Sequence, residues 1–180
     1  MQQSEMVALI RGGVAKPGGV WGDLGAGTGN FSWALAELIG PHGTIYAIDR
    51  DAKAIRQLHQ RIAQDDPGAA MIPQQADFTR RLDLPTLDGV LMANALHFIR
   101  DQPAALALVA GYLRAGGRLL IVEYDLRAPV PWVPFPISFT HLGRLAAQAG
   151  FEPPSEIGRR VSPSSGGAMF AALALRRANG

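Results

Sequence analysis

The sequence predicts an α/β protein whose mostly parallel sheet is covered by helices on both faces. Short apolar segments alternate with segments of helical periodicity along most of the 180 residues, and this alternation is typical of βαβ units. Breaker clusters at 17–19 and 40–43 separate the first of these segments. Two extended stretches at the end of the chain indicate a hairpin, which adds one antiparallel strand.

The elements follow one another without an internal repeat or linker, so residues 1–180 are interpreted as one domain. A short helix is expected at 4–11, with Ser4 as its cap and Gly12-Gly13 as its stop. The first strand starts at Gly19 and ends at a glycine-rich turn. Further strands are expected at 44–49, 69–73, 87–93, 118–124, 151–161 and 168–175, with a loop at 74–78. Further helices are expected at 30–39, 51–62, 102–113 and 138–149, where Asp51 caps the second of these four.

Composition excludes several classes of protein. With 48% hydrophobic and 18% charged residues, the chain is predicted to fold rather than to be disordered. Its formal net charge of +2 comes from scattered arginines and lysines, so no nucleic-acid partner is expected. Without cysteine there is no disulfide, thiolate catalysis or cysteine metal site. The polar, acidic N-terminus does not resemble a signal peptide, and no apolar run is long enough for a membrane span, so a cytoplasmic location is expected.

The glycine-rich turn is the clearest functional feature. Glycines at alternate positions 25, 27 and 29 let the backbone turn sharply and let a ligand touch the main chain. Asp49 ends the second predicted strand, where an acid can accept both hydrogen bonds of a ribose diol. The dinucleotide fingerprint requires a glycine where this chain has Asn30, and a Walker loop requires Gly-Lys-Ser/Thr, which is missing. The turn therefore suits a nucleotide ligand without a pyrophosphate.

Polar residues also follow the other predicted strands. The ends of parallel strands meet at one edge of a sheet, so these residues are expected to converge on a single crevice. They are Asp23–Asn30, Asp49, Asp77, Asn94–His97 and Glu123–Tyr124.

These motifs, taken in order, resemble those of class I S-adenosylmethionine (SAM)-dependent methyltransferases. Residues 23–29 are similar to motif I, 87–94 to motif IV, and 113–119 to the turn that leads into strand five. Residues 142–151 match the family's last helix. The resemblance covers nearly the whole chain and is closest to the small-molecule methyltransferases that consist of a bare catalytic domain. It implies a Rossmann-like, doubly wound sheet of seven strands, the last antiparallel, and S-adenosyl-L-methionine as cofactor.

The resemblance also implies roles for individual residues. Asp23 would lie near the amino group of the methionine moiety, Asp49 would hold the ribose hydroxyls and Arg50 would pack near the adenine. Asp77 would accept from the adenine amino group, although it could instead cap a helix, and Phe78 would lie beside the ring. The expected cofactor-binding set is Asp23, Gly25, Ala26, Gly27, Thr28, Gly29, Asp49, Arg50, Asp77, Phe78 and Asn94.

Three residues are candidates for catalysis. His97 follows the fourth strand and is the best placed general base, unless it only lines the cofactor pocket or caps the next helix. Glu123 and Tyr124 end strand five, where the family places substrate-facing groups, although Tyr124 could equally belong to the core. His141 is a second, weaker candidate base, whereas His42 and His59 are expected at the surface. The four histidines have no close spacing, so no metal site is expected.

The acceptor is the open question. An Asn/Asp-Pro-Pro-Phe/Tyr motif is missing after strand four, and the usual N-terminal lid is short. The pocket is therefore open, covered by a second subunit in a homodimer, or covered by the loop Pro129–Pro136, in which Trp132 and Phe135 would contact the substrate. A packed surface loop is the alternative for that segment.

A small-molecule methyltransferase is the leading hypothesis. A non-catalytic protein that binds SAM or its product S-adenosylhomocysteine (SAH), a methyltransferase acting on protein or RNA, and an NAD-dependent oxidoreductase are the alternatives.

Overall fold

A single seven-stranded sheet organises the chain. The computed structural model describes residues 1–161 and 167–178. Its strands are β1 (Gly19–Leu24), β2 (Gly43–Asp49), β3 (Ala70–Gln75), β4 (Leu87–Ala93), β5 (Leu113–Tyr124), β6 (Ser155–Val161) and β7 (Ala168–Leu175). Its helices are α1 (Gln3–Ile10), α2 (Asn30–Ile39), α3 (Ala52–Gln64), α4 (Gln102–Tyr112) and α5 (Phe139–Gln148), with short 3₁₀ turns at Arg11–Gly13 and Leu96–Phe98.

The strand order is β3-β2-β1-β4-β5-β7-β6. Strands β1 to β5 pair in parallel, whereas β7 runs antiparallel to both β5 and β6. The chain moves outward from β1 to β3 and then returns to the other side of β1 with β4. In such sheets the connections that leave β1 and β4 diverge to opposite faces and open a crevice at their carboxyl ends. The predicted α/β class and the antiparallel last strand are confirmed.

Helices cover both faces of the sheet. One apolar layer joins α4 and α5 to the sheet through residues such as Leu106, Val109 and Leu142. The other joins α1, α2 and α3 to it through residues such as Ile10, Leu35 and Leu58. Because both faces are buried, β4 and β5 contain continuous apolar runs at 89–93 and 119–122 rather than an alternating pattern.

Two boundaries near the sheet's outer strand and the N-terminus differ from the sequence prediction. Helix α1 begins at Gln3, before the expected cap at Ser4, and the Glu5 carboxylate accepts the N–H of Gln2 at 2.7 Å. Strand β3 continues through Gln75, although 74–78 was expected as a loop. Pro73 is tolerated within it because β3 is an edge strand, on which one row of backbone groups needs no partner.

Further differences lie in β5 and β6. Strand β5 begins at Leu113 rather than at 118. The turn expected before 118 is instead part of the strand, where Gly116 has a left-handed φ and the pairing with β4 shifts register. Only Ser155–Val161 of the expected 151–161 stretch forms a strand, since Pro153 and Pro154 cannot donate to a ladder. The turn expected at 162–167 lies, except for its last residue, outside the described residues. Asp51 caps α3 as predicted, accepting the N–H of Lys53 at 2.8 Å.

Within the described residues, no helix combines the length and apolar character that crossing a membrane requires. The cytoplasmic location stays a prediction.

Candidate functional site

The glycine turn is attached to β2 by hydrogen bonds. Asp49 Oδ2 accepts the N–H of Gly27 at 2.8 Å, and Asp49 Oδ1 accepts the N–H of Asp51 at 2.9 Å. The carbonyl of Ile48 accepts two further N–H groups of the turn, from Gly25 and Ala26. Each Asp49 oxygen keeps a free acceptor direction. Asp49 therefore shapes the turn and can still accept from a ligand diol.

The three glycines of the turn have left-handed φ values, but their surroundings differ. A Cβ on Gly25 would lie 2.5 Å from the Ala95 Cβ, and a Cβ on Gly29 would lie 2.5 Å from Leu58 Cδ1. A Cβ on Gly27 would meet nothing within 4 Å. Gly25 and Gly29 are thus required by packing, whereas Gly27 borders open space.

Two adjoining cavities share the Gly25, Gly27 and Asn94 walls. The cavity beside Asp49, called the Asp49 lobe, has a volume of about 350 Å³. The cavity beside Asp23, called the Asp23 lobe, has a volume of about 360 Å³. The Asp49 lobe is lined by Gly25, Gly27, Asp49, Arg50, Asp77, Phe78, Asn94, Ala95, Phe98 and Ile99. The Asp23 lobe is lined by Met1, Met6, Asp23, Gly25, Ala26, Gly27, Thr28, Asn30, Phe31, Ala93 and Asn94. One elongated ligand can therefore extend past Gly27 from one lobe into the other.

Asp23 is a buried carboxylate at the end of β1, with 1% of its surface exposed. Ser32 Oγ of α2 donates to Asp23 Oδ2 at 2.5 Å. Burial raises the pKa of Asp23 from 3.8 to about 7; the Ser32 hydrogen bond opposes this shift and the charge of Asp49 adds to it. A cationic group of a ligand in the Asp23 lobe would favour the ionised form.

Asn94 lies where the two lobes meet. Its φ of 53° is in the left-handed region, which is uncommon for a residue other than glycine and is found at functional sites. Among the described residues, its buried Oδ1 has no hydrogen-bond partner. A buried acceptor without a partner is costly, and a donor group of a bound ligand would satisfy it.

Asp77 and Phe78 lie on the far wall of the Asp49 lobe. Asp77 Oδ1 accepts the Thr79 N–H at 3.0 Å and its hydroxyl at 2.7 Å, and these bonds lower the pKa of Asp77. The alternative of a helix cap is wrong, since a turn rather than a helix follows. The second carboxylate oxygen is available to the lobe, and the contact with an adenine amino group stays a prediction.

The orientation expected for Glu123 needs correction. Its side chain is fully buried rather than facing a substrate, and its carboxylate binds backbone and side-chain groups of the protein. His97 is also buried, at 2% exposure, with Nδ1 2.5 Å from Glu123 Oε2. Tyr124 is half-buried, with its ring centroid 6.1 Å from that of His97. None of the three lines either lobe.

The proline-rich segment does not contribute to the walls of the two lobes. Val130 and Val133 bond to each other's backbone and form a tight turn within this segment. Val133 is buried, whereas Trp132 is 55% exposed. His141 lies in α5 outside the walls of both lobes, and His42 and His59 are exposed as predicted.

The structure brings ten of the eleven predicted cofactor residues to the two lobes; Gly29 instead begins α2 beneath them. Sequence reasoning missed Phe98 and Ile99, and also the contributions of Met1 at the N-terminus and of Met6 in α1. It missed Ser32 as well, although a polar residue within the apolar run 31–36 of α2 was a usable signal. Within the described residues, no group of three or more His, Asp or Glu side chains could hold a metal ion.

The fold and the site define a protein class. Asp49 can hold a ribose diol, Gly27 leaves the passage between the lobes open, and the buried carboxylate of Asp23 lies in the second lobe. The site fits a nucleoside joined to a chain that carries an ammonium group. SAM has this form, so the residues present fit that cofactor.

Comparisons with known proteins agree with this class. The family described as "Methyltransferase domain" matches residues 23–119, more than half of the chain. A probable cobalt-precorrin-6B C(15)-methyltransferase (decarboxylating) of Thermoplasma volcanium is 28% identical over 120 residues, which are 67% of this chain and 58% of that protein. The ubiquinone/menaquinone biosynthesis C-methyltransferase UbiE of Bordetella parapertussis is 30% identical over 114 residues, 62% of this chain and 43% of that protein. The chain thus spans about half the length of these curated relatives.

Solved structures share the fold. The YcgJ protein of Bacillus subtilis superposes with a TM-score of 0.79 at 14% identity, covering 98% of this chain and all of that one. Magnesium protoporphyrin IX methyltransferase of Synechocystis, solved with bound SAM, superposes with a TM-score of 0.71 at 17% identity, covering 97% of this chain and 77% of that one. The chain belongs to the methyltransferase-domain family of class I SAM-dependent methyltransferases.

Replacing Gly27 with Ala tests whether the open space beside this residue holds the cofactor. We expect Gly27→Ala to fold but to bind SAH at least about tenfold more weakly, because the added methyl group enters the ligand space. Gly68→Ala is the matched control, since Gly68 also has a left-handed φ and no neighbour within 4 Å but lies in a distant turn. Both variants should lose about 1 kcal/mol of stability from backbone strain. Equal SAH affinities of the two variants in calorimetry would contradict the assignment.

Replacing Asp23 with Asn tests the cost of burying this carboxylate. The folded pKa lies above that of the unfolded chain, so the folded state holds an extra proton between about pH 4 and pH 7. The free energy of unfolding therefore falls as pH rises through this window, by an amount on the order of 4 kcal/mol at most. We expect Asp23→Asn to melt at a higher temperature than the parent at pH 8, with the difference shrinking toward pH 4.

Asp83→Asn is the control for Asp23→Asn, because Asp83 is exposed. Its melting temperature should stay close to that of the parent at both pH 8 and pH 4. A melting temperature of Asp23→Asn below that of the parent at pH 8 would show that the ionised carboxylate is stabilised in the free protein.

Proposed function

We propose that this protein is an active methyltransferase that transfers the methyl group of SAM to a small-molecule acceptor. The observation that carries the proposal is the pair of lobes joined at Gly27, with Asp49 in one and Asp23 in the other. This arrangement suits a ligand with a diol near one end and an ammonium group at the other. Family membership supports the same cofactor.

The chain's own groups would act mainly by positioning. When bound, SAM supplies a methyl group on a sulfonium, which is already activated for in-line displacement. Asp49 would fix the ribose, Asp23 the ammonium group, and Asn94 Oδ1 would accept a hydrogen bond at the junction of the lobes. A fixed geometry between the methyl group and the nucleophile is the main requirement of such a transfer.

A small, partly apolar acceptor is supported by the walls of the Asp23 lobe. Helix α1 contributes Met6 to it, α2 contributes Phe31 and β4 contributes Ala93, and Met1 adds a further apolar side chain from the N-terminus. Apolar walls with a few polar groups are typical of small-molecule sites, and methionine side chains adapt to different shapes. The two curated relatives described above are named as C-methyltransferases, which also supports a small-molecule acceptor. No nucleic-acid partner is proposed, and a homodimer remains one way to cover the lobe.

The burial of His97 and Glu123 favours a second candidate, a protein that binds SAM or SAH without transferring the methyl group. His97 was expected as a general base and Glu123 as a substrate-facing group, yet neither reaches a lobe wall. Transfer from labelled SAM to amines, phenols, carboxylates, thiols and activated carbon acids distinguishes the two candidates. Label in any product supports the enzyme, and SAH binding without any labelled product supports the second candidate.

Replacing Asp49 with Ala tests the site itself. We expect Asp49→Ala to weaken SAH binding at least about 30-fold, because hydrogen bonds to a charged carboxylate contribute about 1.5–3 kcal/mol and the Gly27 N–H also loses its acceptor. Asp51→Ala is the control: it removes a neighbouring acid but keeps the backbone N–H that bonds to Asp49. Calorimetric titration with SAH measures both variants. Unchanged affinity in Asp49→Ala would refute the ribose assignment.

A further inference from the structure

The Glu123 carboxylate is bonded to three nitrogen atoms of one short segment. Its Oε1 accepts the backbone N–H of Leu96 at 3.0 Å and that of His97 at 3.2 Å. Its Oε2 lies 2.5 Å from Nδ1 of the His97 ring. Nδ1 is the donor of this bond when Glu123 is ionised, because an ionised carboxylate only accepts. A buried carboxylate with three donors is well compensated, so removing a donor has a high cost.

The segment held by Glu123 is also a wall of the cofactor site. Residues 94–99 belong to the connection between β4 and α4, and four of them line the Asp49 lobe: Asn94, Ala95, Phe98 and Ile99. Its first residue adopts the left-handed backbone conformation, which costs free energy for a residue other than glycine. The backbone N–H groups that bond to Glu123 belong to the residues two and three positions later, Leu96 and His97. They are therefore placed to keep this strained connection in one conformation.

The same pair reaches a second segment on the outside of the site. The His97 carbonyl accepts the N–H of Phe135 at 3.0 Å. The Gln102 side chain at the start of α4 donates to the Phe135 carbonyl at 2.8 Å. The end of β5, the β4–α4 connection and the proline-rich segment are thus joined by one hydrogen-bond network around His97.

We propose that Glu123 and His97 are a buried positioning pair, which fixes the 94–99 wall of the cofactor site and links it to the segment around Phe135. The pair acts through the backbone of that wall and touches neither cofactor nor acceptor. This inference rests on the proposed function for its cofactor readout, and its backbone readout is independent of that function.

Two substitutions of His97 distinguish the positioning role from a direct contact with the ligand and from a role as a base. The Nδ2 group of Asn occupies nearly the position of the histidine Nδ1, so His97→Asn keeps the donor to Glu123. His97→Leu removes it and leaves a buried carboxylate one donor short. His59→Leu is the control for loss of a histidine, since His59 is exposed on α3, away from both lobes.

We expect His97→Leu to bind SAH at least about tenfold more weakly than the parent and His97→Asn to restore affinity to within about threefold. In hydrogen exchange of the free proteins, peptides covering 94–99 and 133–137 should lose protection in His97→Leu and keep it in His97→Asn. His59→Leu should match the parent in both measurements. If His97→Leu does not fold, Glu123→Gln takes its place, because it keeps an acceptor for the two N–H groups but loses the charge.

Three results would overturn the proposal. The first is parent-like SAH affinity and exchange in His97→Leu, or in Glu123→Gln where that variant replaces it. The second is an affinity of His97→Asn as low as that of His97→Leu, which would point to a contact made through Nε2. The third applies once labelled SAM has revealed an acceptor. It is a loss of methyl transfer in His97→Asn while SAH affinity stays normal, which would make His97 a base. Failure of the parent to bind SAH would refute the proposed function, while the exchange measurement would still decide on the pair.

Discussion

The close approach of two turns, one after β1 and one after β4, is the constraint on which the site depends. Gly25 and Ala95 meet at a distance that leaves no room for a side chain on Gly25. Neither residue carries a functional group, yet the contact brings the glycine turn against the β4–α4 connection. Asn94 and Gly27 can border the same space only because these two turns touch. A side chain at position 25 would push the connection away and separate the two lobes.

Two buried carboxylates near this contact have different surroundings. Glu123 is compensated within the protein by three donors, whereas Asp23 has one hydroxyl partner and the charge of Asp49 nearby. Burial disfavours an ionised group unless donors or opposite charge compensate for it. The protein thus compensates one carboxylate with three contacts of its own and gives the other a single hydroxyl donor. A raised pKa in a cleft is a frequent property of functional groups, and Asp23 has this property.

Local sequence features predicted most of the fold and the cofactor end of the site. The glycine spacing and the position of Asp49 at a strand end are properties of neighbouring residues, so they could be read without the tertiary structure. Pro73 obscured the extent of β3, because whether a proline is tolerated depends on the strand's place in the sheet. Gly29 was assigned to the cofactor from its position in the turn, but its surroundings include Leu58, nearly 30 residues away along the chain.

The sequence by itself determined the order of strands and helices, the methyltransferase family and the position of the acid Asp49 at the end of β2. Only the tertiary structure decided which strand-end groups reach the ligand space. Glu123 and Tyr124 are neighbours on β5, so their side chains point to opposite faces of the sheet. Whether a face opens to a cavity or is closed by another segment depends on contacts between distant parts of the chain. Here residues 96–97 cover Glu123, and their two backbone N–H groups satisfy its carboxylate where solvent or substrate would otherwise do so.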